Sequence, residues 1–191
     1  SPYKIAWELD FESAMPKRIV VANPATRLAE AYWYLPFVVT NRTGEERPFV
    51  PVFELVDDDG NIHRSDRGIG PYVFQAIKDQ QRNALLEPYS RLIGRILVGD
   101  DQARIGVAIW PEPKVEMAAF SIFVKGLSGE SILVRKTQTG FQKVEKFDDI
   151  KSGDDLINLS KTLHLRYVQL GDEVFPGGDP VFKFERGWVM R

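Results

Sequence analysis

The stretch Tyr32-Trp33-Tyr34-Leu35-Pro36-Phe37-Val38-Val39-Thr40-Asn41 determines how the rest of the chain is interpreted. Trp33, Leu35 and Phe37 alternate along it and would share one face of a strand. Tyr32 and Tyr34 would lie on the opposite face. A strand that is apolar on both faces lies inside a protein, so we expect other elements to pack against both sides of this one.

Several other segments show the alternation of apolar and polar residues that is typical of half-buried strands. They cover residues 5–11, 49–56, 105–109, 120–124 and 163–167. Turn residues separate them at short intervals, and almost no helical spacing is present. This pattern predicts an all-β fold, specifically an antiparallel β-sandwich of the immunoglobulin-like kind.

Two turn sequences predict tight hairpins. Asp57-Asp58-Asp59-Gly60 follows the strand at 49–56, and its glycine supplies the positive φ that such turns need. Gly99-Asp100-Asp101 separates the alternating residues 92–98 from those at 105–109, and we interpret this as the clearest hairpin in the chain.

Three prolines and one helical segment complete the structural pattern. Pro36 and Pro51 cannot donate a ladder hydrogen bond, so each is expected at a bulge or where its nitrogen faces no partner strand. From Pro71 onward the spacing becomes helical, and proline suits a first helical turn. The sequence therefore predicts one short helical insertion, from Pro71 to Gln81.

Composition excludes several classes of protein. With 191 residues we expect one domain, residues 1–191. The 25 basic and 27 acidic residues are interleaved and give a net charge of −2, which argues against nucleic-acid binding. The absence of cysteine excludes disulfides and thiolate chemistry. No apolar run approaches the roughly 18 residues of a membrane span.

A catalytic site is not predicted. Gly126-Leu127-Ser128-Gly129-Glu130 resembles the nucleophile elbow of hydrolases, but Glu130 replaces the final glycine and no helix follows. A serine mechanism also needs a base, and His63 and His164 are the two histidines of the chain. We therefore expect a protein that is not an enzyme and has no required cofactor.

The acidic turn offers the main metal hypothesis, and the acidic loop at residues 148–155 has the same ambiguity, with a solvated loop favoured. Asp57, Asp59 and Asn61 carry oxygen ligands of the type that Ca²⁺ prefers. The segment does not fit the EF-hand loop, because placing Gly60 at the loop glycine puts Leu55 at the first ligand position. A plain hairpin turn is favoured, and a calcium site remains the alternative.

The tryptophans offer a second ligand hypothesis. Trp7 and Trp33 occur in apolar registers and are expected in the core. Trp110, at a strand end before Pro111, and Trp188, near the C-terminus, are the candidates for an exposed stacking surface. A module that binds carbohydrate or another small ligand would use these two indoles.

The order of the strand motifs resembles a known family. Residues 38–44, 53–60, 94–100 and 106–110 follow one another as in the telokin-like immunoglobulin-superfamily domains of bacterial exported proteins and lipoproteins. The resemblance covers about residues 31–125, and residues 126–191 would be additional strands. It implies a fold and export, but no catalytic residue.

These observations favour a non-catalytic module with a structural or protein-binding role in the bacterial cell envelope. The chain begins with Ser1 rather than methionine, which we interpret as the removal of a signal or anchor, so the expected location is the periplasm or the cell surface. The expected partner is another envelope protein. Strand addition at an exposed sheet edge is a contact mode that needs only backbone groups.

Overall fold

The computed structural model describes residues 6–174 and 180–191, and these form mostly strands. The strands are β1 (Asp10–Ser13), β2 (Lys17–Ala22), β3 (Ala29–Thr40), β4 (Arg47–Phe49), β5 (Val52–Asp57), β6 (Ile62–Arg64), β7 (Gly94–Ile96), β8 (Arg104–Pro111), β9 (Ala119–Lys125), β10 (Ser131–Thr137), β11 (Gly140–Lys143), β12 (Leu156–Val174) and β13 (Pro180–Met190). The α-helices are α1 (Pro71–Gln81) and α2 (Tyr89–Leu92), with 3₁₀ turns at Asp100–Gln102 and Phe147–Asp149. Strands hold 53% of the structure and helices 12%, which confirms the all-β class. Ile5, the start of the first predicted strand, lies outside the described residues.

Two antiparallel sheets pack face to face. In the smaller one, β3 pairs with β8 on one edge and with β1 and β2 on the other. The larger has the order β11-β10-β12-β9-β5-β6, and β13 pairs with β12. Trp33 of the small sheet meets Phe120 of the large one, with ring centroids 5.8 Å apart. The fold is thus sandwich-like and compatible with an immunoglobulin-like domain.

Strand β3 is buried on both faces, as predicted. Trp33, Leu35 and Phe37 enter the main core between the two sheets. Tyr32 and Tyr34 enter a second cluster on the outer face of the small sheet. Because its side chains pack into an apolar cluster on each side, β3 has no polar face.

Helix α1 is the layer that covers the second face, and its bounds agree with the prediction. Val73 and Ile77 are fully buried against β3 and β8. At about 1.5–3 kcal/mol for each fully buried aliphatic side chain, these two contacts hold the helix on the sheet. A short helix of mixed polarity would not persist alone.

One predicted hairpin is confirmed and the other is wrong. The turn after Asp57 joins β5 to β6, with Leu55 opposite His63 and Gly60 at φ +83°. Strand β7, however, pairs with β4 in a separate two-stranded sheet, while β8 pairs with β3. Gly99, at φ +116°, and the following 3₁₀ turn carry the chain from one sheet to another instead of folding it back.

Both prolines lie where a missing donor costs no ladder bond. On the edge of β3 that faces β1 and β2, Pro36 falls between the residues paired with β1 and those paired with β2. Its carbonyl accepts a hydrogen bond from the Ala14 N–H on that side. Pro51 lies just before β5 begins. The sequence-based placement of both residues is confirmed.

The strands after Gly126 complete the large sheet. Strand β12 pairs with β9 through residues 163–168 and contributes Leu163, Leu165 and Tyr167 to the main core. These strands are therefore part of the layer against which β3 packs.

Candidate functional site

The carboxylate of Asp57 in the acidic turn already has hydrogen-bond partners within the protein. The Oδ1 atom of Asp57 accepts hydrogen bonds from the N–H groups of Asp59 and Asn61, both at 3.0 Å. Its Oδ2 atom lies 2.9 Å from Nε2 of His63. The bond to His63 is the main reason why the pKa of Asp57 falls to about 2, although burial acts in the opposite direction.

A lysine occupies the outer side of the same turn. Lys114 Nζ lies 2.5 Å from an oxygen of Asp58 and 2.8 Å from one of Asp59. The carboxylate oxygens of Asp57, Asp58 and Asp59 come within 4.8 Å of one another, while Asn61 is exposed. A Ca²⁺ ion at the proposed residues Asp57, Asp59 and Asn61 would have to displace the ammonium group and the turn's own hydrogen bonds.

The expected surface position of Trp110 is wrong. Trp110 is 1% exposed and belongs to the main core, because it lies directly opposite Trp33 in the β3–β8 ladder. Its indole N–H donates to the carbonyl of His63 at 2.9 Å. The ring therefore has no free face for a sugar.

Trp188 lies at the rim of the core and is partly buried. The ammonium group of Lys161 sits over its ring, 5.2 Å from the centroid. That ammonium is held in turn by Glu8 and Glu130, at 3.1 and 3.3 Å. With Trp110 buried, Trp188 does not form the two-indole platform that the sequence suggested.

The serine residues do not form a hydrolase site of the expected kind. Ser128 accepts the N–H of Glu130 at 3.1 Å and so closes a local turn. A different serine, Ser121, lies 2.8 Å from Nε2 of His164 on the outer face of the large sheet. Burial, followed by the charges of Arg166 and Arg191, lowers the pKa of His164. In residues 6–174 and 180–191 no carboxylate hydrogen-bonds to the other nitrogen of this ring.

A groove runs between α1 and the segment that leads into α2. Its outer compartment has a volume of about 500 Å³ and is lined by Phe74, Lys78, Leu85, Glu87 and Arg91, among others. Leu85 is 70% exposed there. The inner compartment has about 300 Å³ and shares Phe74 and Pro88 with the outer one. We call the two together the α1 groove.

Asp66 is the polar centre of the inner compartment, which we call the Asp66 pocket. Its other main lining residues are apolar or aromatic: Ile69, Pro71, Phe74, Pro88, Tyr89 and Ile109. The side chain of Ser65 hydrogen-bonds to the Asp66 carboxylate. The Oδ2 atom is buried and has no hydrogen-bond partner among the described residues. A buried polar atom without a partner is unusual and calls for an explanation.

The backbone holds Asp66 in this position. Ser65 donates its N–H to the carbonyl of Phe53 in the large sheet at 3.0 Å, and Asp66 donates to Ile109 in the small sheet at 2.8 Å. Asp66 adopts φ +60°, a left-handed conformation that aspartate tolerates better than most residues. Burial raises the pKa of its carboxyl to about 6. Strained backbone and a shifted pKa occur together at many binding sites.

Glycine allows the pocket and the helix to meet. A Cβ atom on Gly70 would collide with the ring of Tyr72, so the residue just before α1 must lack a side chain. Pro71 then opens the helix at the edge of the pocket. The tyrosine in turn donates to Glu30, which fixes the start of α1 on the outer side of the small sheet.

Sequence reasoning did not identify this groove. Asp66 lies in a segment with no catalytic motif, and its neighbours Ile69 and Ile109 are 40 positions apart. The one usable signal was the cluster of Gly68, Gly70 and Pro71 before a helix, which marks an irregular approach to α1.

The fold and the groove define a class of protein, an all-β sandwich with a helix-flanked surface groove. Comparisons with known protein families, with curated proteins and with solved structures found no match. Among the described residues, no helix has the length and apolar character needed to cross a membrane.

Proposed function

We propose that this chain is a non-catalytic, immunoglobulin-like module of an exported bacterial protein, and that it binds another protein of the cell envelope through the α1 groove. The partner contributes an extended segment that lies along α1. The resemblance of residues 31–125 to telokin-like domains supports the immunoglobulin-like and exported parts of this proposal.

The observation that carries the proposal is the α1 groove itself. It combines an apolar wall with an exposed Leu85 and an unpaired carboxylate oxygen at its inner end. Exposed apolar surface next to a few placed polar groups is typical of binding sites. Two adjoining compartments of about 500 and 300 Å³ suit a chain segment with one inserted side chain better than a single small molecule.

The non-catalytic part rests on the arrangement of the described polar groups. The pair Ser121–His164 lies on the outer face of the large sheet, and no carboxylate of the described residues hydrogen-bonds to this histidine. Asp57 and Asp58 line the same depression, but Asp57 bonds to His63 and Asp58 to Lys114. The side chains around Asp66 are mostly apolar, and the serines near it are Ser65 and Ser90. A defined turnover abolished by one polar substitution would refute this part.

The binding experiment uses a library of random peptides displayed on phage and selected against the purified protein. Selected peptides should bind the wild type and lose about tenfold or more in affinity for Leu85→Ser, because Leu85 supplies apolar contact area in the groove. Leu28→Ser is the matched control, since Leu28 is also highly exposed, at 66%, but lies outside the groove.

Two outcomes would overturn the proposal. If no peptide is enriched, or if selected peptides bind Leu85→Ser as tightly as the wild type, the α1 groove is not the binding surface. If NMR amide signals that shift on peptide binding map to an edge strand such as β11, the contact is strand addition instead.

Export is tested separately. Fractionation of cells that make the natural protein should place it in the envelope, and a cytosolic location would contradict the proposal.

A further inference from the structure

The inner end of the α1 groove is chemically more specific than the rest. One oxygen of the Asp66 carboxylate, Oδ2, is buried without a partner, while Ser65 engages the same carboxylate. A buried acceptor without a hydrogen bond costs free energy, and a charged acceptor costs more than a neutral one. A cation bound beside this carboxylate offsets part of that cost.

We infer that the Asp66 pocket is the subsite for a lysine side chain of the protein segment that lies in the α1 groove. This inference rests on the proposed function, because it names the side chain that the partner inserts. The occupant is a primary ammonium group on an aliphatic stem, with its charge next to the carboxylate of Asp66.

The choice of lysine over arginine follows from the number of free oxygens. A guanidinium group is best matched by a carboxylate that offers both oxygens side by side. Here Ser65 and the backbone of Ile109 already engage the carboxylate and its Oδ2 atom is buried, so the two oxygens are not both open side by side. An ammonium group acts as a compact point charge and can use a single acceptor.

The walls of the pocket suit the stem of such a side chain. Ile69, Pro71 and Ile109 offer apolar surface for the methylene groups. Tyr89 adds an aromatic ring, and ring faces attract cations. Phe74 also lines the pocket, and Lys78 lies over its ring, 5.9 Å from the centroid. The hydroxyl of Tyr89 is held by the carbonyl of Pro51 at 2.6 Å, so its ring is fixed in position.

The surrounding charges do not oppose a cation in this position. Asp66 is the one ionisable carboxylate or cation among the described side chains lining the inner compartment. Lys78, Glu87 and Arg91 line the outer compartment instead. Lys78 and Arg91 would repel a cation in the outer compartment, so the ammonium group is directed to the inner one.

The experiment is an NMR titration of the whole protein at pH 7.5 with n-butylammonium, which represents the lysine side chain. Amide signals of residues 66–74 and 89–90 should shift with butylammonium. 1-Butanol, which replaces the ammonium by a hydroxyl, and n-propylguanidinium should bind about tenfold more weakly or worse. Asp66→Asn should lose the response to butylammonium, and the exposed control Asp101→Asn should retain it.

The outcomes separate this inference from the proposed function. Equal shifts with butanol, or equal shifts in Asp66→Asn, overturn the lysine subsite even if phage-selected peptides still depend on Leu85. If selected peptides depend on Leu85, then replacing their lysine by methionine should weaken binding to the wild type but not to Asp66→Asn. If butylammonium binds more tightly than every lysine-containing peptide, the pocket binds a free amine. That result would overturn the inference that a lysine of the partner occupies it.

Discussion

Asp66 donates its main-chain N–H to the carbonyl oxygen of Ile109 at 2.8 Å, and this bond fixes the inner end of the α1 groove to the small sheet. The preceding residue bonds to Phe53 of the large sheet. The carboxylate is therefore supported from both layers of the sandwich, and its position does not depend on a mobile loop side chain. Such support is what a binding site needs in order to present a charge in a defined place.

Asp66→Asn is expected to stabilise the protein at neutral pH. The pKa of Asp66 is raised from 3.8 to about 6, so the folded state binds more protons than the unfolded state and stability falls as pH rises through this range. Two pKa units correspond to about 3 kcal/mol, and the neutral amide avoids most of that cost.

Thermal unfolding from pH 4 to 8 measures this effect. The midpoint of the variant should exceed that of the wild type by about 5 °C at pH 7.5, and the difference should vanish near pH 4. A variant that is less stable than the wild type at pH 7.5 would contradict the burial of a charged carboxylate. Greater stability together with lost butylammonium binding would indicate that the carboxylate is kept for binding.

Asn41→Ala is expected to be strongly destabilising. Asn41 is fully buried, and its amide nitrogen donates to the carbonyls of Glu45 and Ile96 at 2.7 and 2.9 Å. Its oxygen accepts from both the N–H and the hydroxyl of Thr43. Removing the amide leaves these groups unpaired, so the free energy of unfolding should fall by about 2–4 kcal/mol. Urea unfolding measures this change. Asn158→Ala, at an exposed position of β12, should change stability little, and equal effects would refute the argument.

Gly106→Ala tests the packing between β8 and α2. A Cβ atom at Gly106 would lie 2.8 Å from the ring of Phe37 and would also collide with Leu92. Both neighbours are buried, so we expect a loss of about 1–3 kcal/mol in the free energy of unfolding. In Gly187→Ala, the control in β13, the new methyl group meets nothing within 4 Å. Calorimetry should show a lower midpoint for the first variant alone.

His63→Leu is expected to raise the pKa of Asp57 from about 2 towards its ordinary value, because the hydrogen bond from His63 is the largest cause of the lowered value. A carboxylate with a depressed pKa stabilises the folded state above its unfolded pKa and loses this contribution as pH falls. The variant should therefore differ most from the wild type above about pH 4. NMR titration of the Asp57 carboxyl measures the shift. His164→Leu, which removes a histidine bonded to Ser121, should leave it unchanged.

Calcium is expected to leave the wild-type protein unaffected. Lys114 bridges Asp58 and Asp59, and these carboxylates raise its pKa, so its charge persists at neutral pH. Lys114→Met removes this competing cation and should allow weak Ca²⁺ binding at the acidic turn. Isothermal titration calorimetry of the two proteins makes the comparison, and tight binding to the wild type would show that calcium displaces the lysine.

Local signals in the chain were sufficient for several elements. The limits of α1 followed from Pro71 and the helical spacing of Val73 and Ile77. The turn at Gly60 followed from the positive φ that glycine permits. In both cases residues within about ten positions of one another determine the conformation, so a sequence pattern carries the information.

The pairing of the strands could not be predicted as well from the sequence. The alternation in residues 92–98 and 105–109 correctly indicates extended chain, but β7 joins β4 and β8 joins β3. Alternation reports which face of a strand is buried, and it does not report which partner forms the hydrogen bonds. Trp110 was misplaced for the same reason, since its burial comes from Trp33, a residue 77 positions away that lies opposite it.

The sequence by itself determined the all-β class, a strand buried on both faces and the helix that follows Gly70, because periodicity, proline and glycine act through local backbone geometry. The tertiary structure alone decided that Asp66 would face Ile69, Tyr89 and Ile109 in one pocket. It also decided that Lys114 would pair with Asp58 and Asp59 in the acidic turn. Burial and charge pairing depend on which distant segments meet. The free energy that favours these contacts arises when the layers pack together, so no single stretch of the chain determines it.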